Sequence, residues 1–266
     1  MLASTTTTWP EQAGLKCVKS SAPLLSTGGL CVPQGLRCVQ RCNPLFLRTA
    51  GLQHRSRVAV TRRTHAVISM SSAGAKTVLV PIGNGSEEME AVTIIDVLRR
   101  AGASVTVASV ESELEVKCSR NVRIVADVLM NEAANQQYDL IVLPGGAPGS
   151  EALKRSQDLK KLLHKQQSSN KAYAAMCAAP AIVLEAHGLL EGKKATAHPA
   201  FVDKLSDSSA AEQRVVVDGK LITSRGPGTA LEFALVLVEH LYSSEKAKEV
   251  AVPMVVHDSV GSFMHM

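Results

Sequence analysis

Short apolar runs alternate with stretches of helical periodicity from residue 76 onward, and this alternation constrains the fold more than any other feature. The predicted strands cover residues 77–82, 103–110, 138–143 and 171–176. The predicted helices cover residues 87–101, 150–167, 178–189 and 229–241. The turn Asp218-Gly219 inside residues 214–224 predicts a hairpin. Strands that alternate with helices favour one α/β domain in which helices cover both faces of a mostly parallel sheet.

The first 75 residues differ in composition from the rest. They contain nine Lys and Arg residues, one acidic residue and 16 Ser and Thr residues, whereas the remainder carries 20 basic and 23 acidic residues. The net positive charge therefore belongs to this segment and does not indicate nucleic-acid binding by the domain. A segment that is poor in acids and rich in Arg and Ser is typical of an organelle transit peptide. Its hydroxyl-rich start favours the chloroplast, with the mitochondrion as the alternative.

The domain is predicted to cover residues 76–258, followed by a short tail over 259–266. No apolar run approaches the roughly 18–20 residues that a membrane span requires, so no membrane association is expected.

Cysteine usage gives little indication of a metal site or a disulfide framework. Four of the six cysteines lie in the first 75 residues: Cys17, Cys31, Cys38 and Cys42. The Cys38–Cys42 spacing suggests zinc, but no second ligand pair follows at the spacing of a zinc finger. The domain keeps only Cys118 and Cys177, which suits a reducing compartment. We therefore predict no metal.

Cys177 is the strongest candidate for a functional residue. It lies where the apolar strand AYAAM gives way to a predicted helix with Pro180 in its first turn, which resembles a nucleophile elbow. Unpaired N–H groups at a helix start, including that of Ala178, are expected to favour the thiolate. The alternative is a buried structural cysteine.

Glu90 is the second candidate. The residues 4, 7 and 11 positions further on are Ile94, Val97 and Ala101, so Glu90 begins the apolar stripe of its helix. Its carboxyl group is therefore expected to face the sheet edge where Cys177 lies. A half-buried carboxyl has a raised pKa and can transfer protons. The alternative is a solvated acid at a helix start.

Other groups are expected near the same edge. Gly145 and Gly146 follow a strand and offer backbone N–H groups for an oxyanion hole, or they form only a turn. His198 is a plausible partner for Cys177. The segment around Arg225, SRGPGT, opens the last predicted helix and either binds an anion or forms a rigid turn.

Five ordered segments together resemble the DJ-one branch of the DJ/ThiJ/PfpI superfamily, the branch of the Parkinson-disease-associated deglycases. They are residues 76–110, LPGG at 143–146, AAMCAAP at 174–180, AHP at 197–199 and SRGPGT at 224–229. The resemblance runs over residues 76–257 and implies a flavodoxin-like fold, usually as a homodimer. Plant relatives often carry two such domains in tandem.

The resemblance also implies residue roles. It makes Cys177 the nucleophile, Glu90 the carboxyl group hydrogen-bonded to it, and His198 a nearby group. Arg120 would approach the active site of the partner subunit, with Arg225 supporting the site, and Cys118 would be a second oxidisable cysteine. A further cysteine of some relatives is replaced by Val125 here.

Three functions are compatible with these residues. The first is a cofactor-free enzyme that acts on dicarbonyls, converting methylglyoxal to lactate, or that repairs glycated protein. The second is a redox sensor or chaperone that works through oxidation of Cys177, which the same environment would promote. The third is a cysteine protease or amidotransferase, although protease-like relatives place His directly after the cysteine and this chain has Ala178.

The predicted transit peptide can be tested with a reporter. Fusion of residues 1–75 to a fluorescent protein is expected to direct that protein into an organelle, with the plastid favoured, because the segment is basic, hydroxylated and aperiodic. Microscopy with plastid and mitochondrial markers gives the result. Diffuse cytosolic fluorescence would contradict the prediction.

Overall fold

The computed structural model describes residues 75–257. The predicted transit peptide, with its four cysteines, and the predicted tail over 259–266 lie outside the described residues. Within residues 75–257, no helix combines the length and the apolar character needed to cross a bilayer.

A seven-stranded sheet forms the centre of the domain, and its order is β5-β2-β1-β6-β7-β9-β8. In chain order its strands are β1 (Thr77–Ile82), β2 (Ser104–Ser109), β5 (Val128–Leu129), β6 (Leu140–Leu143), β7 (Ala172–Met176), β8 (Val215–Asp218) and β9 (Leu221–Ser224). All neighbouring pairs are parallel except β8 and β9. A separate antiparallel hairpin joins β3 (Glu115–Lys117) and β4 (Arg123–Val125).

Helices cover the sheet, as the apolar strands predict. They are α1 (Glu88–Arg100), α2 (Met130–Ala133), α3 (Ala147–Arg155), α4 (Gln157–Ser168), α5 (Ala230–Leu241) and α6 (Ser244–Ala251). Helix α1 packs against α5, and α5 packs against α6. Strands β6 and β7 are buried along their whole length, which accounts for their continuous apolar sequence. The mostly parallel, flavodoxin-like α/β prediction is therefore confirmed.

Two predicted helices differ from the structure. The single helix expected over 150–167 is two helices, because Ser156 ends α3 and its side chain accepts a hydrogen bond from the Leu159 N–H as the N-cap of α4. The helix expected over 178–189 is a π-helix at Pro180–Leu184 followed by a 3-10 turn at Glu185–His187. In the π-helix the Glu185 N–H donates to the Pro180 carbonyl five residues earlier, not four.

The carboxyl ends of four adjacent strands lie at one edge of the sheet. Strands β1, β6, β7 and β9 are parallel neighbours, and the residues that follow them are Gly83, Pro144, Cys177 and Arg225. This is the edge at which open α/β sheets bind ligands. The fold therefore brings the predicted functional segments together.

Candidate active site

Cys177 occupies a strained backbone position at the end of β7. Its φ is 60°, in the left-handed region that residues with a side chain seldom adopt. Both of its backbone groups are held: its N–H donates to the Ser224 carbonyl at 2.9 Å, and its carbonyl accepts from the His198 N–H at 2.8 Å. The side chain is 8% exposed. This geometry is that of a nucleophile elbow, in which a sharp turn aims the sulfur beyond the sheet edge.

Glu90 lies beside this sulfur, as its place on the apolar stripe of α1 predicts. It is fully buried, and its carboxyl group forms a hydrogen bond with the Cys177 thiol. Its Oε2 accepts the Gly145 N–H at 2.7 Å, whereas its buried Oε1 has no hydrogen-bond partner among the described residues. Glu90 is thus a desolvated carboxyl group in contact with the candidate nucleophile.

Burial sets the protonation of this pair. It raises the pKa of Glu90 to about 7. The hydrogen bonds from Gly145 and Cys177 limit this rise, and the charge of Glu87 adds to it. The neighbouring N-cap residue Glu87 also accepts the Glu90 N–H at 2.7 Å. At neutral pH the Glu90 carboxyl is therefore close to its midpoint, where a side chain works well as both proton acceptor and proton donor.

The expected preference of Cys177 for the thiolate is wrong for the resting site. Burial, and then the Glu90 carboxylate, raise the pKa of the Cys177 thiol to about 12, although N–H groups of Gly146 and Ala178 hydrogen-bond the sulfur. The physical reason is the depth of burial beside the Glu90 carboxyl group. In addition, no regular α-helix starts here, since the segment after Cys177 is a turn and then a short π-helix. The resting cysteine is a thiol that donates to Glu90.

The two predicted oxyanion-hole glycines have separate roles. The Gly145 N–H is committed to Glu90, so it is not free to bind a substrate oxygen. A Cβ at position 145 would lie 2.5 Å from the Cβ of Cys177 and 2.8 Å from Glu90 Oε2, so only glycine allows this approach. Gly146 has a φ of 86°, and its N–H reaches the sulfur together with that of Ala178. The N–H groups of Gly146 and Ala178, which contact the sulfur, therefore remain the candidates for an oxyanion hole.

His198 and Arg225 lie on segments next to Cys177. The His198 backbone N–H bonds the Cys177 carbonyl, and its Nδ1 accepts the Ala200 N–H at 3.2 Å as a side-chain N-cap. The Arg225 guanidinium contacts the carbonyl and carboxylate of Glu212, each at 3.3 Å. Among residues 75–257, no group of three or more His, Cys, Asp and Glu side chains could hold a metal ion.

Known proteins match this sequence and fold. The sequence profile of the DJ-1/PfpI family matches residues 76–240. The chain belongs to the DJ-1/PfpI family.

Three similar proteins illustrate the range of the match. The Arabidopsis thaliana protein DJ-1 homolog B is 59% identical over 184 residues, which cover 69% of this chain and 42% of that protein. A solved structure of oxidized DJ-1 from Toxoplasma gondii is 48% identical, with a TM-score of 0.67, and covers 68% of this chain and 99% of that one. The Caenorhabditis elegans glutathione-independent glyoxalase DJR-1.2 is 37% identical over 171 residues, which cover 64% of this chain and 90% of that protein. The chain spans less than half the length of Arabidopsis DJ-1 homologs B and A, 42% and 48%.

Two residues that the family resemblance implies lie outside the immediate site of this DJ-1/PfpI chain. The Arg120 guanidinium is exposed and donates to the neighbouring Ser119 carbonyl. Cys118 is buried, and burial together with the Glu88 and Glu87 charges raises the pKa of its thiol to about 11. Because the thiolate is the form that is oxidised, burial disfavours oxidation of the resting Cys118 as it does that of the resting Cys177, and the redox role predicted for Cys118 stays a prediction.

Glu88, which the sequence analysis does not single out, connects two elements near the site. The Glu88 carboxylate is buried and accepts the Ser119 hydroxyl and the Arg120 N–H, each at 2.7 Å. Burial opposes its ionisation, but the hydrogen bonds from Ser119, Arg120 and Val122 hold the pKa of Glu88 below its ordinary value. Glu88 thus ties the first turn of α1 to the turn between β3 and β4.

The pH dependence of stability tests the buried state of Glu90. Since its folded pKa lies above the ordinary value of 4.5, the folded protein binds more protons than the unfolded chain between pH 4.5 and 7, and stability falls as pH rises through this interval. Glu90→Gln removes this cost, which is on the order of 3 kcal/mol for the ionised form. We expect urea denaturation to show the variant to be more stable than the parent at pH 8, with the difference lost near pH 4.5.

Glu88→Gln is the matched control. The pKa of Glu88 is lowered in the folded protein, so its charge stabilises the fold at neutral pH and this contribution is lost as pH falls. We therefore expect Glu88→Gln to destabilise the protein at pH 8, the opposite sign to Glu90→Gln. If both variants lower the stability of the protein equally at pH 8, the assignment of Glu90 as a buried carboxyl group with a raised pKa is wrong.

Proposed function

We propose that this DJ-1/PfpI chain is a cofactor-independent enzyme that converts methylglyoxal to lactate. The observation that carries the proposal is a fully buried carboxyl group with a pKa near 7 that is hydrogen-bonded to a strained cysteine. A proton acceptor near neutrality beside a sulfur nucleophile is what addition to an aldehyde requires. The similarity to the C. elegans protein that is named a glutathione-independent glyoxalase supports the same reaction.

The first step is the addition of sulfur to the aldehyde. The Glu90 carboxylate takes the Cys177 S–H proton as the S–C bond forms, and the C=O π electrons move to the aldehyde oxygen. Glu90 then gives this proton to the oxygen, which yields a hemithioacetal and restores the carboxylate. The N–H groups that contact the sulfur, those of Gly146 and Ala178, stabilise the developing oxygen charge.

The second step moves a proton between the two carbons. Glu90 removes the proton from the former aldehyde carbon, which gives an enediolate. The hydroxyl proton then moves from the former aldehyde oxygen to the former ketone oxygen, and Glu90 returns its own proton to the former ketone carbon. The product is a thioester of lactate, and water hydrolyses it to release lactate and the Cys177 thiol. No electron acceptor is needed, because one carbon is oxidised as its neighbour is reduced. In repair of an early glycation adduct on protein, the sulfur would instead displace the protein amine from the former aldehyde carbon, and the amine would leave with the proton that Glu90 took from the thiol.

A redox or chaperone role for Cys177 is the second candidate. The similar Toxoplasma gondii DJ-1 structure is described as oxidized, which supports a redox role as an alternative for this chain. The buried Glu90 Oε1 has no partner among the described residues and could donate a proton to an added oxygen if the carboxyl were protonated. Turnover of methylglyoxal distinguishes the enzyme from the sensor.

We further propose that the protein acts as a homodimer in the plastid. We name the proposed dimer interface the α1–hairpin face. It consists of the exposed side chains of Met89, Val92, Val122 and Val125, which are 61%, 50%, 48% and 66% exposed. Exposed apolar side chains of this size favour an interface. The hydrogen bonds of Glu88 join the two elements that carry these residues. In a dimer of this kind Arg120 would approach the partner subunit.

The catalytic roles are tested by lactate formation, followed by NMR without added thiols. Cys177→Ser is expected to abolish turnover, and Glu90→Gln to reduce it by about 10²–10⁴, the usual contribution of an acid–base group. Cys118→Ser is the matched control and should keep parent activity, because Cys118 lies outside the site. Lactate formation by Cys177→Ser at the parent rate would refute the mechanism. A reactive Cys177 in a parent protein without turnover would favour the sensor.

The dimer is tested by sedimentation. The parent protein is expected to sediment at twice its chain mass at micromolar concentration, and Val125→Asp should shift it toward the monomer because it places a charge on the α1–hairpin face. Val217→Asp is the matched control, since Val217 is also half exposed, at 52%, but lies on β8. A parent protein that sediments as a monomer would exclude the proposed interface.

A further inference from the structure

Three chain segments converge around the backbone of Cys177 and bring Arg225 next to it. Strands β7 and β9 pair Met176 with Ser224, and the Ser224 carbonyl accepts the Cys177 N–H at 2.9 Å. Arg225 follows Ser224 directly. A Cβ added to Gly226 would lie 3.4 Å from Cδ2 of His198, so the SRGPGT segment runs against the imidazole ring. The backbone that carries Arg225 therefore lies against both the Cys177 backbone and the His198 ring.

The hydrogen bond of His198 determines what its ring can do. Nδ1 accepts the Ala200 N–H at 3.2 Å, so Nδ1 holds the lone pair of the neutral ring and Nε2 carries the proton. A ring in this tautomer donates from Nε2 and cannot act as a base for the Cys177 thiol through that atom. His198 is therefore a fixed N–H donor, whereas Glu90 supplies the base.

Arg225 holds unused hydrogen-bonding capacity. Its side chain is 23% exposed, and its buried Nε–H has no acceptor among the described residues. Its NH1 makes two contacts of 3.3 Å with Glu212, whose side chain is 93% exposed. An ion pair to so exposed a carboxylate is weak, and a buried N–H without an acceptor is unfavourable. A guanidinium in this state is suited to an anion that brings its own acceptor oxygens.

We infer that Arg225 and the Nε2–H of His198 form an anion-binding subsite beside Cys177, and that the enzyme prefers 2-oxoaldehydes carrying a carboxylate or phosphate group. This inference rests on the proposed function for its reaction and on the geometry of Arg225 and His198 for its specificity. The anionic group would lie on the carbon chain beyond the ketone, so the proton transfer by Glu90 is unchanged. Glu212 competes with the substrate anion for the guanidinium.

Binding of simple anions tests the subsite without any turnover. Inorganic phosphate and lactate are titrated separately into Cys177→Ser, in which no covalent adduct to sulfur forms, and amide shifts are followed by NMR. We expect saturable shifts around residues 198 and 225. Adding Arg225→Ala should weaken binding by about ten-fold or more, the usual effect of losing a charge-assisted hydrogen bond, and Arg225→Lys should weaken it less.

Two further variants make the test directional. Glu212→Gln is expected to tighten anion binding, because it removes the competing carboxylate while leaving the guanidinium in place. Arg100→Ala is the matched control: Arg100 is paired with Asp96 on the exposed face of α1, and its loss should not change binding. If Arg225→Ala proves unstable, Glu212→Gln still decides, since unchanged affinity in that variant would overturn the inference. Stronger binding of phosphate than of lactate would identify phosphorylated substrates, and the reverse would identify carboxylates.

Kinetics separate this inference from the proposed function. Phosphate and glyoxylate should inhibit methylglyoxal turnover competitively, and Arg225→Ala should raise their inhibition constants more than it raises the KM of uncharged methylglyoxal. If the parent makes no lactate but Cys177→Ser binds anions through Arg225, the proposed reaction fails and the subsite stands. The opposite result is that the parent forms lactate from methylglyoxal, but phosphate and lactate do not bind to Cys177→Ser or bind equally well without Arg225. In that case the inference is overturned and the proposed reaction stands.

Discussion

The hydrogen bond from the Gly145 N–H to Glu90 Oε2 organises the whole site. It joins the loop after β6 to the first turn of α1 at 2.7 Å, and it fixes a carboxyl group where water cannot reach it. Burial is the largest influence on the pKa of Glu90 and raises it, whereas the hydrogen bond from Gly145 lowers it. Without this donor the ionised form of the buried carboxyl group would be still less favourable. The same contact requires glycine at position 145, since any side chain there would collide with Cys177. One bond therefore fixes the position of the carboxyl group and limits the rise in its pKa.

A second set of contacts connects the site to the α1–hairpin face. The Asn84 side-chain oxygen accepts the Lys117 N–H at 2.9 Å, and the Gly85 N–H donates to the Lys117 carbonyl at 2.8 Å. The Ser119 N–H donates to the Ser86 carbonyl at 2.9 Å, and Glu88 completes the connection. These contacts hold the hairpin against residues 84–88. A partner that covers the hairpin would therefore act on the segment that leads into Glu90.

Much of this arrangement could be predicted from the sequence, for identifiable reasons. The continuous apolar runs of β1, β6 and β7 predict buried parallel strands, and the edge at which they end predicts where Cys177 lies. The helical spacing of Ile94 and Val97 places Glu90 against the sheet, because one face of α1 must be buried. Patterns of apolar residues are sufficient for these features, since burial of side chains determines them.

Features that depend on single hydrogen bonds could not be predicted in this way. The separation of α3 from α4 depends on the cap at Ser156, and the path after Cys177 depends on a bond that reaches five residues back to Pro180. The pKa of Cys177 rises although the sequence predicts a fall, because the sequence shows a helix start but not the depth of burial.

His198 and Glu90 illustrate how the backbone divides acid–base roles between two side chains that sequence alone treats as equivalent. Both residues could in principle accept the Cys177 proton. The Ala200 N–H occupies the lone pair of His198 Nδ1 and leaves a donor at Nε2. The Gly145 N–H occupies only one oxygen of Glu90, and the carboxyl keeps a pKa near 7. Glu90 is therefore the acceptor for the Cys177 proton. The Nε2–H of His198 is a hydrogen-bond donor for an anion, and it does not have to lose or gain a proton to act as one. Under the proposed reaction and subsite, this division would assign proton transfer to Glu90 and anion binding to His198 and Arg225.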